Sequence, residues 1–478
     1  MARSETAMFF QQFYLDCLAH ASYLVGDGGQ CAIVDPQRDV QIYIEAAAAL
    51  GLTITHVIES HLHADFVSGH IELAALTGAE IHLGHRGGAK FAHHPVHDGD
   101  KIELGDVLLR FLETPGHTPE SLCVLVFDRS VSAELPLKVL TGDTLFIGDV
   151  GRPDLVGSKG YSAEDMAGMM YDSLGSKLLV LPDETEVYPA HGAGSACGRS
   201  MSTEKWSTMG EQKATNLALQ PMSREAFVAM QTASLAPPPR YFSRSSELNR
   251  QGAQALGGLP APQRLEPEEL AQLQNEGALV LDLRGAASFG EGHIPGAINI
   301  GLDGTFAPWV GGLIDLDAEL VLVGDEPGDI EMAITRLARV GFDAVRGFVS
   351  DGVRAWQASG RELATVQQIT TGELSERLGA AASESLWVVD VRQPGEYSGG
   401  HVPGALSIPV RELEGRRDEL DPSQAVAFIC ASGYRSSAAG SLLARHGFSQ
   451  VLNVTGGTAA WVDSGHPVEL SENSCNLG

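Results

Sequence analysis

Short apolar runs rich in β-branched residues follow one another through roughly the first 200 residues of the chain. Five of them, "CAIVD", "HVIES", "LLRFLET", "KVLTGD" and "TEVYPAH", are separated by glycine-containing turns, and a helical segment, "QIYIEAAAAL", lies between the first two. Runs of this length predict strands, and the longer segments between them predict helices. The pattern predicts a mixed α/β sandwich for this part of the chain.

The second half of the chain repeats itself. "VLDLRGAASFGEGHIPGAINI" from Val280 aligns without a gap on "VVDVRQPGEYSGGHVPGALSI" from Val388. The alignment pairs Asp282 with Asp390, Arg284 with Arg392 and His293 with His401. In each copy, strand-like runs alternate with helical segments, a pattern typical of a parallel sheet covered by helices. Two copies of one α/β unit therefore follow each other.

A segment rich in Pro, Gly, Ser and Arg begins at Ser234 and precedes the repeats. Its composition is typical of a linker that ends a first domain. A chain of 478 residues is also too long for one hydrophobic core. We therefore predict three domains, at residues 1–255, 262–365 and 366–478.

The charge of the chain excludes several partners. Lys and Arg total 32 against 61 Asp and Glu, a formal net charge of −29, which would repel nucleic acids and anionic membranes. An anionic substrate must therefore find a local positive pocket. The six cysteines (Cys17, Cys31, Cys123, Cys197, Cys430 and Cys475) are scattered without CxxC pairs, which argues against disulfides or a zinc ribbon. Without a secretory or spanning segment, we expect a soluble cytoplasmic protein.

Side chains that can bind metal follow four predicted strands of the first domain. They are His61, His63 and Asp65 in "ESHLHADF", His117 in "TPGHT", Asp143 in "TGDTLF" and His191 in "YPAHGAG". Strand ends at one edge of a sandwich can bring distant residues together. One shared site explains these residues more simply than four histidines that each cap a strand separately.

This HxHxD, GH, GD and AH series closely resembles the metallo-β-lactamase superfamily over most of residues 8–200. The resemblance implies an αββα sandwich for the first domain. The two-metal hydrolases of that superfamily, including the glyoxalase II type, carry HxHxDH, whereas Phe66 stands at the last position here. A phenyl ring cannot bind metal, so a dinuclear hydrolase is disfavoured.

The segment "GDTLFIGDVGRPDL" resembles the persulfide dioxygenases, a mononuclear iron branch of the superfamily. The resemblance implies one Fe(II) per chain, held by His61, His117 and Asp143. His63, Asp65 and His191 would then surround the ligands. Two histidines and one carboxylate leave open positions on iron for dioxygen and a substrate sulfur.

Two further residues of the first domain are candidates for substrate binding. Arg152 in "GRPD" matches the arginine that helps hold the substrate in this branch, although an ion pair with Asp149 or Asp154 explains it equally well. Cys197 follows His191 by six residues. It is either a buried structural cysteine or a group that carries or receives a sulfane sulfur.

Cys430 ends the predicted strand "AVAFIC" and begins the loop "CASGYR", after which a helix begins. Backbone N–H groups and the positive end of the helix should converge on its sulfur, lower its pKa and stabilise an anion there. Arg435 can bind an oxyanion from the far side of the loop.

CxxGxR in this setting, over residues 366–468, resembles the rhodanese family. The resemblance implies a six-residue loop, including Gly433 and Tyr434, that binds the substrate around a Cys430 persulfide. In the first repeat, Gly324 and Asp329 stand at the positions of Cys430 and Arg435. That repeat should be catalytically inactive and serve as a spacer or docking domain.

Nearly the whole chain resembles the bacterial fusions of a persulfide dioxygenase with rhodanese domains. The resemblance implies oxidation of a low-molecular-weight thiol persulfide to sulfite and thiol, together with sulfane-sulfur transfer between thiosulfate, persulfide and sulfite. These small molecules are the expected partners, and the oligomeric state stays open, a homo-oligomer included. Two alternatives remain: a two-zinc thioester hydrolase fused to a rhodanese, and a sulfur carrier that oxidises nothing.

Overall fold

The structure is a computed structural model that describes residues 8–155, 160–233, 235–349, 351–379 and 386–471. Cys475 lies outside these residues. The chain divides into two units, residues 1–259 with 338–341 and residues 260–337 with 342–478. Within the described ranges, no helix is both long and apolar enough to cross a membrane.

The strands of the first unit build two six-stranded sheets. The first sheet keeps chain order: β1 (Phe9–Leu15), β2 (His20–Asp27), β3 (Gln30–Val34), β4 (Thr53–Glu59), β5 (Glu80–Gly84) and β6 (His94–Val96). The second runs in reverse chain order from β12 (Ser207–Thr208) through β11 (Glu186–Pro189), β10 (Lys138–Gly142), β9 (Leu122–Asp128) and β8 (Val107–Glu113) to β7 (Lys101–Leu104). Parallel and antiparallel pairs occur in both sheets.

Six helices belong to this unit: α1 (Gln41–Ala49), α2 (His70–Thr77), α3 (Ala163–Ser173), α4 (Met209–Thr215), α5 (Arg224–Thr232) and α6 (Tyr241–Gln251). The two sheets pack through a buried core that includes Val25 and Ile58 from one and Phe111 and Val124 from the other. Separate apolar clusters join each sheet to the helices on its outer face. The predicted αββα sandwich is confirmed, because each sheet buries apolar side chains on both faces.

The five predicted strands and the first predicted helix are present as β3, β4, β8, β10, β11 and α1. The linker prediction after Ser234 was wrong in part, because α6 forms inside it. Tyr241, Phe242, Ser245 and Asn249 are buried, so one face of this polar helix packs on the domain. Its low hydrophobicity concealed the three- and four-residue spacing that predicts a helix.

The first repeat forms a five-stranded parallel sheet in the order β13-β17-β16-β14-β15. Its strands are β13 (Gln263–Leu265), β14 (Leu279–Asp282), β15 (Ile298–Asn299), β16 (Leu320–Val323) and β17 (Val345–Val349). Its helices are α7 (Pro267–Asn275), α8 (Ala286–Glu291), α9 (Phe306–Leu313), α10 (Pro327–Arg339) and α11 (Gly352–Ala358).

The second repeat has the same arrangement, with the sheet order β18-β22-β21-β19-β20. Its strands are β18 (Gln367–Ile369), β19 (Leu386–Asp390), β20 (Leu406–Ser407), β21 (Ala425–Ile429) and β22 (Val451–Val454). Its helices are α12 (Thr371–Gly379), α13 (Pro394–Ser398), α14 (Leu413–Arg416), α15 (Tyr434–Ala444) and α16 (Gly457–Asp463). Both repeats lie in one unit, and the boundary at residues 365 and 366 stays a prediction.

Candidate metal centre and sulfur-transfer site

His61, His117 and Asp143 meet where β4, the loop after β8 and the end of β10 come together. Their ligand atoms lie within 4.8 Å of one another, and all three side chains are buried. Asp143 Oδ2 is 3.8 Å from His61 Nε2 and 3.4 Å from His117 Nε2. The structure therefore brings together three residues that span 82 positions of the chain, from His61 to Asp143.

Several buried polar atoms of this cluster have no hydrogen-bond partner. They are His61 Nε2 and both carboxylate oxygens of Asp143, and beside them Asp65 Oδ1 and both ring nitrogens of His63 and of His191. Buried polar groups are nearly always paired, so a convergent set of unpaired ligand atoms fits a bound cation. Burial also lowers the pKa of His117 to about 4 and that of His61 well below its usual value. Both rings are therefore neutral, the form that binds metal.

Backbone and hydroxyl groups orient the two histidines. His117 Nδ1 donates to the carbonyl of Arg152 at 2.9 Å, which leaves Nε2 with its lone pair directed at Asp143. His61 Nδ1 is hydrogen-bonded to Ser60 Oγ at 3.0 Å. Gly151 is required for the first contact, because a Cβ there would lie 2.0 Å from the Asp143 carbonyl and 2.9 Å from His117 Nδ1. Partners of this kind fix a ligand's tautomer and direction.

A second group, His63, Asp65 and His191, lies beside the first. His191 Nε2 is 3.3 Å from Asp65 Oδ2 and 3.6 Å from Asp143 Oδ1. His63 Nε2 is 3.2 Å from Asp35 Oδ1. Burial lowers the pKa of His63, but the carboxylates of Asp35 and Glu59 outweigh that effect and raise it to about 9. The approach of Asp35 to His63 Nε2 therefore competes with metal binding at that nitrogen.

Phe66 fills the space beside this second group. Its ring is fully buried, with its centroid 4.4 Å from that of His63 and 4.1 Å from that of His20. An apolar ring at this place excludes water and offers no ligand atom. Phe66 therefore adds no ligand to the second group, which consists of two histidines and one aspartate, as the first does.

Arg152 is buried and makes the ion pair that the sequence left as one of two alternatives. Its Nε and Nη2 each donate to Asp154 at 2.6 Å, and Nη2 also donates to the Ala236 carbonyl. Its guanidinium is thus largely committed to the protein. Cys197 is fully buried with its sulfur in reach of Asp143 and His191, and burial raises the pKa of its thiol well above the usual value.

A cavity of about 370 Å³ opens beside His117 of the candidate ligand set. Its wall includes Leu62, Ala64, His117, Thr118, Asp154 and Leu155, and Pro238, Pro239 and Arg240 with five residues of α6. Asn249 of α6 also donates to the carbonyls of His63 and Phe66 at 2.8 Å. The segment that looked like a linker is therefore one wall of the cavity, and its composition carried no signal of that role.

Cys430 follows β21 directly and is fully buried at the N-terminal end of α15. The Gly433 N–H donates to its sulfur at 3.1 Å, and the Ser436 hydroxyl does so at 3.4 Å. Gly433 has φ +105°, a conformation that glycine adopts without strain. Donors from the backbone, a hydroxyl and a helix end favour an anion on sulfur. Ser436 was missed because serine at a helix start usually has only a capping role.

Arg435 and Tyr434, from the same loop, make contacts that the sequence did not indicate. Arg435 Nη1 and Nη2 donate to the two carboxylate oxygens of Glu396 at 2.7 Å, and this pairing lowers the pKa of Glu396. Tyr434 Oη donates to the Gly301 carbonyl of the first repeat at 2.8 Å. Tyr434 therefore fastens the loop to the neighbouring repeat, rather than pointing its hydroxyl at a substrate.

In the first repeat, Gly324 follows β16 as Cys430 follows β21. The carboxylate of Asp329 accepts from the Glu326 N–H at 3.1 Å and so caps α10. Here the strand-loop-helix geometry persists without a thiol or a cation at the corresponding positions.

Comparison with known proteins assigns both halves of the chain. The Metallo-beta-lactamase superfamily pattern matches residues 15–191, and the Rhodanese-like domain pattern matches residues 266–359 and 370–464. A metallo-beta-lactamase structure from Staphylococcus aureus is 35% identical with a TM-score of 0.64, and the match covers 72% of this chain and 99% of that one.

Three curated relatives match parts of the chain. A hydroxyacylglutathione hydrolase of Rhodospirillum rubrum is 36% identical over 34% of this chain and 57% of its own length. The mitochondrial persulfide dioxygenase ETHE1 of Bos taurus is 32% identical over 36% of this chain and 63% of its own length. A sulfurtransferase of Allochromatium vinosum is 36% identical over 22% of this chain and 98% of its own length.

The chain thus spans 57% and 63% of the length of the first two relatives. The sulfurtransferase, in contrast, is matched almost entirely, and the staphylococcal structure likewise. The chain therefore belongs to the metallo-beta-lactamase superfamily through its first domain and carries two rhodanese-like domains after it.

Proposed function

We propose that this protein is a sulfur-metabolism enzyme with two active sites: an iron-dependent persulfide dioxygenase in the first domain and a thiosulfate sulfurtransferase in the second repeat. The observation that carries the proposal is the buried set of His61, His117 and Asp143, with unpaired ligand atoms, beside a cavity. The similarity to a persulfide dioxygenase supports it, as does the Cys430 loop in a rhodanese-like domain.

His61, His117 and Asp143 would hold one Fe(II) by one imidazole nitrogen each and a carboxylate oxygen. Iron of this ligand class supplies the binding and redox activation of dioxygen. The net reaction, RSSH + O2 + H2O → RSH + SO3²⁻ + 2H⁺, oxidises the outer sulfur, reduces dioxygen and returns the thiol. Phe66 and the other buried walls keep water away from the cluster.

The cavity beside His117 would hold the substrate persulfide, with room for the thiol part of the molecule to which the outer sulfur is bound. Arg240 and Arg250 contribute positive charge to its wall, although Arg250 is paired with Glu247. An acidic chain needs such local charge to admit an anionic persulfide. Apolar Leu62 and Phe242 in the same wall suit the carbon part of the substrate.

Cys430 would act as the nucleophile of the second site. Its thiolate attacks the outer sulfur of thiosulfate, the S–S bond breaks, and sulfite leaves with the bonding electrons. Gly433 N–H and the Ser436 hydroxyl stabilise the charge on sulfur. The persulfide on Cys430 then passes its outer sulfur to a thiol or back to sulfite, and Arg435 binds the oxyanion of the entering or leaving group.

A thioester hydrolase of the glyoxalase II kind is the second candidate, because a hydroxyacylglutathione hydrolase is 36% identical to the first domain. Asp143 also has Oδ2 near His117 of the first group and Oδ1 near His191 of the second. A carboxylate shared by two metals would be arranged in this way. Phe66 and the pairing of His63 with Asp35 oppose this function. The third candidate, a sulfur carrier that oxidises nothing, would load Cys430 without consuming oxygen.

The test is oxygen uptake by the iron-loaded protein with a panel of thiol persulfides, together with metal analysis. We expect persulfide-dependent uptake with about one catalytic iron per chain, as one such ligand set requires. His61→Ala and Asp143→Ala should lose both, whereas the exposed His97→Ala should keep both. Thioester cleavage by a two-zinc form without oxygen uptake would favour the hydrolase, and full iron retention in both ligand variants would reject this ligand set.

A further inference from the structure

A second group of metal-binding side chains lies on the first sheet, away from the catalytic centre. It consists of His56, Glu80, His82 and His94, which we name the sheet-edge histidine cluster. His56 lies on β4, Glu80 and His82 on β5, and His94 on β6, three neighbouring parallel strands. Their sequence positions fall outside the HxHxD, GH, GD and AH motifs, and the proposed reaction does not use them.

The pleat of the three strands places these side chains on one face. Residues two positions apart in a strand point to the same side, and Ile58 and Val96, two residues after His56 and His94, pack into the core between the sheets. Val57 and Ile81, at the alternate positions, pack on the helix-covered face. The cluster therefore lies on the face that meets the second sheet, at the middle of β4, the first half of β5 and the beginning of β6.

The ligand atoms of the cluster converge. His56 Nδ1 is 3.0 Å from His82 Nε2, and Glu80 Oε2 is 3.9 Å from His82 Nε2 and 3.4 Å from His94 Nε2. One ligand atom each from His56, Glu80 and His82 lies within 4.8 Å of the others. The ring of His94 stacks on that of His82, with centroids 5.1 Å apart. Two imidazole nitrogens and one carboxylate oxygen therefore face a common point, and His94 approaches that carboxylate from β6.

The four side chains of the cluster differ in burial. His82 is 8% exposed and His56 is half-buried, whereas Glu80 and His94 are exposed. Burial lowers the pKa of His82 to about 4 and also lowers that of His56, so both rings are neutral near pH 7. The protein thus supplies two neutral ligands that are at least half-buried, beside two exposed side chains that solvent ions can reach.

A hydrogen bond between His56 and His82 would explain those two residues alone. It uses one proton and one lone pair, and it makes no use of the carboxylate and the third imidazole that point to the same place. Histidine nitrogens and a carboxylate oxygen, with His94 or water in the remaining position, are ligands typical of a tetrahedral zinc-class site.

We propose that the sheet-edge histidine cluster is a second metal site, separate from the catalytic centre, which binds a divalent transition ion of the zinc class. The ion would cross-link β4, β5 and β6. Because His56 lies on β4, which ends at Glu59, and His61 follows two residues after that end, the same strand would carry a structural ion near its middle and a catalytic ligand beyond its end. This inference is independent of the proposed function.

The site has a practical consequence for metal analysis. A preparation with two metal ions per chain would suggest the two-metal hydrolase, although one ion could occupy the sheet-edge cluster. Removing that cluster by mutation separates the two explanations, because it leaves the catalytic ligands untouched.

The test is calorimetric titration of the full-length, iron-loaded protein with zinc, together with metal analysis after dialysis. We expect one zinc ion per chain beyond the catalytic metal, absent in His82→Ala and weakened in Glu80→Gln by at least the ~10–100-fold that loss of a supporting partner costs. Both carboxylate and amide fit the exposed position of Glu80, so Glu80→Gln tests the site without disturbing the core. Cobalt(II) in place of zinc should give a tetrahedral absorption spectrum that the same variants lack.

His97→Ala provides the matched control. His97 belongs to a nearby exposed group with His85 and Glu113, in which His97 Nδ1 is 4.0 Å from Glu113. Zinc binding that persists unchanged in both His82→Ala and Glu80→Gln, or that disappears only in His97→Ala, would overturn the proposal. Loss of oxygen uptake in a correctly folded His82→Ala protein would show that the two sites are not separate.

Discussion

The two rhodanese-like repeats have the same framework but different loops. In the first, Arg284 Nη2 donates to Asp282 and to the Gly292 carbonyl, and in the second, Arg392 Nη2 donates to Asp390 and to the Gly400 carbonyl. His293 and His401 stack on an aromatic ring four residues earlier, with centroids 3.7 Å and 3.6 Å apart. The most similar residues of the two repeats therefore stabilise the fold.

The chemistry lies in the positions where the repeats differ. Cys430 and Arg435 have Gly324 and Asp329 as counterparts, although β16 and β21, the strands that precede the two loops, occupy the same place in their sheets. The aspartate-arginine pair and the histidine are present in both repeats and do not distinguish them. The loop residues at the start of α15 do distinguish them.

Among these variants, Cys430→Ser should have the largest effect on sulfur transfer. It leaves the second repeat without a nucleophile, like the first repeat with Gly324 at the same position. A hydroxyl is not ionised at neutral pH and cannot form a persulfide, so thiosulfate-dependent sulfur transfer should fall by roughly 10³-fold or more. Oxygen uptake with a small persulfide should stay nearly unchanged. Mass spectrometry of the wild-type protein after brief exposure to thiosulfate should show one added sulfur on the Cys430 peptide.

Two results would contradict this division between the sites. One is sulfur found only on Cys197, whose buried thiol lies beside Asp143. The other is a loss of oxygen uptake in Cys430→Ser as severe as that in His117→Ala.

Arg435→Ala should have the next largest effect. In the proposed role the guanidinium, which is paired with Glu396 in the structure, binds the oxyanion. A hydrogen bond to a charged group contributes about 1.5–3 kcal/mol, so the KM for thiosulfate should rise roughly 10- to 100-fold. The nucleophile remains, and kcat should change less than KM. The exposed Arg417→Ala serves as the control in steady-state kinetics, and an unchanged KM in Arg435→Ala would remove Arg435 from substrate binding.

Gly304→Ala tests whether the first repeat supports the active loop. A Cβ on Gly304 would lie 2.7 Å from the ring of Tyr434, so the ring must move and its hydrogen bond to Gly301 must weaken. Loss of one such bond costs about 0.5–1.5 kcal/mol, which predicts a roughly 2- to 10-fold fall in kcat/KM. Gly328→Ala, where a Cβ meets no atom within 4 Å, should leave sulfur transfer unchanged. Equal rates in both variants would show that Tyr434 does not position the loop.

Gly324→Cys should have the smallest effect. Measured in the Cys430→Ser protein, it should create no sulfur transfer, because the new Cβ would lie 3.1 Å from Asp329 Cβ and 3.5 Å from Asp329 Oδ2. That carboxylate would repel a thiolate and an incoming oxyanion. Adding Asp329→Arg should produce the first detectable activity. Robust turnover by Gly324→Cys alone would show that the loop comparison between the repeats is wrong.

Much of the site could be predicted because local motifs carry it. His61 and Asp143 each follow a buried strand, and Cys430 stands between a strand and a helix, so strand ends and loop spacing were enough to single them out. Contacts between distant segments could not be predicted. Glu396 reaches Arg435 across 39 positions, and Asn249 reaches His63 across 186, and no short sequence window contains both partners.

The sequence by itself determined the mixed α/β sandwich, the repeat, the candidate ligands and the absence of a thiol from the first repeat, because each depends on residue type and near-neighbour spacing. The αββα layering was implied by the family resemblance. The tertiary structure decided the rest. It paired Arg152 with Asp154, placed α6 in the cavity wall, fastened Tyr434 to the first repeat and gathered the sheet-edge histidine cluster from three strands. These features depend on packing and strand register, which bring together residues far apart in the chain.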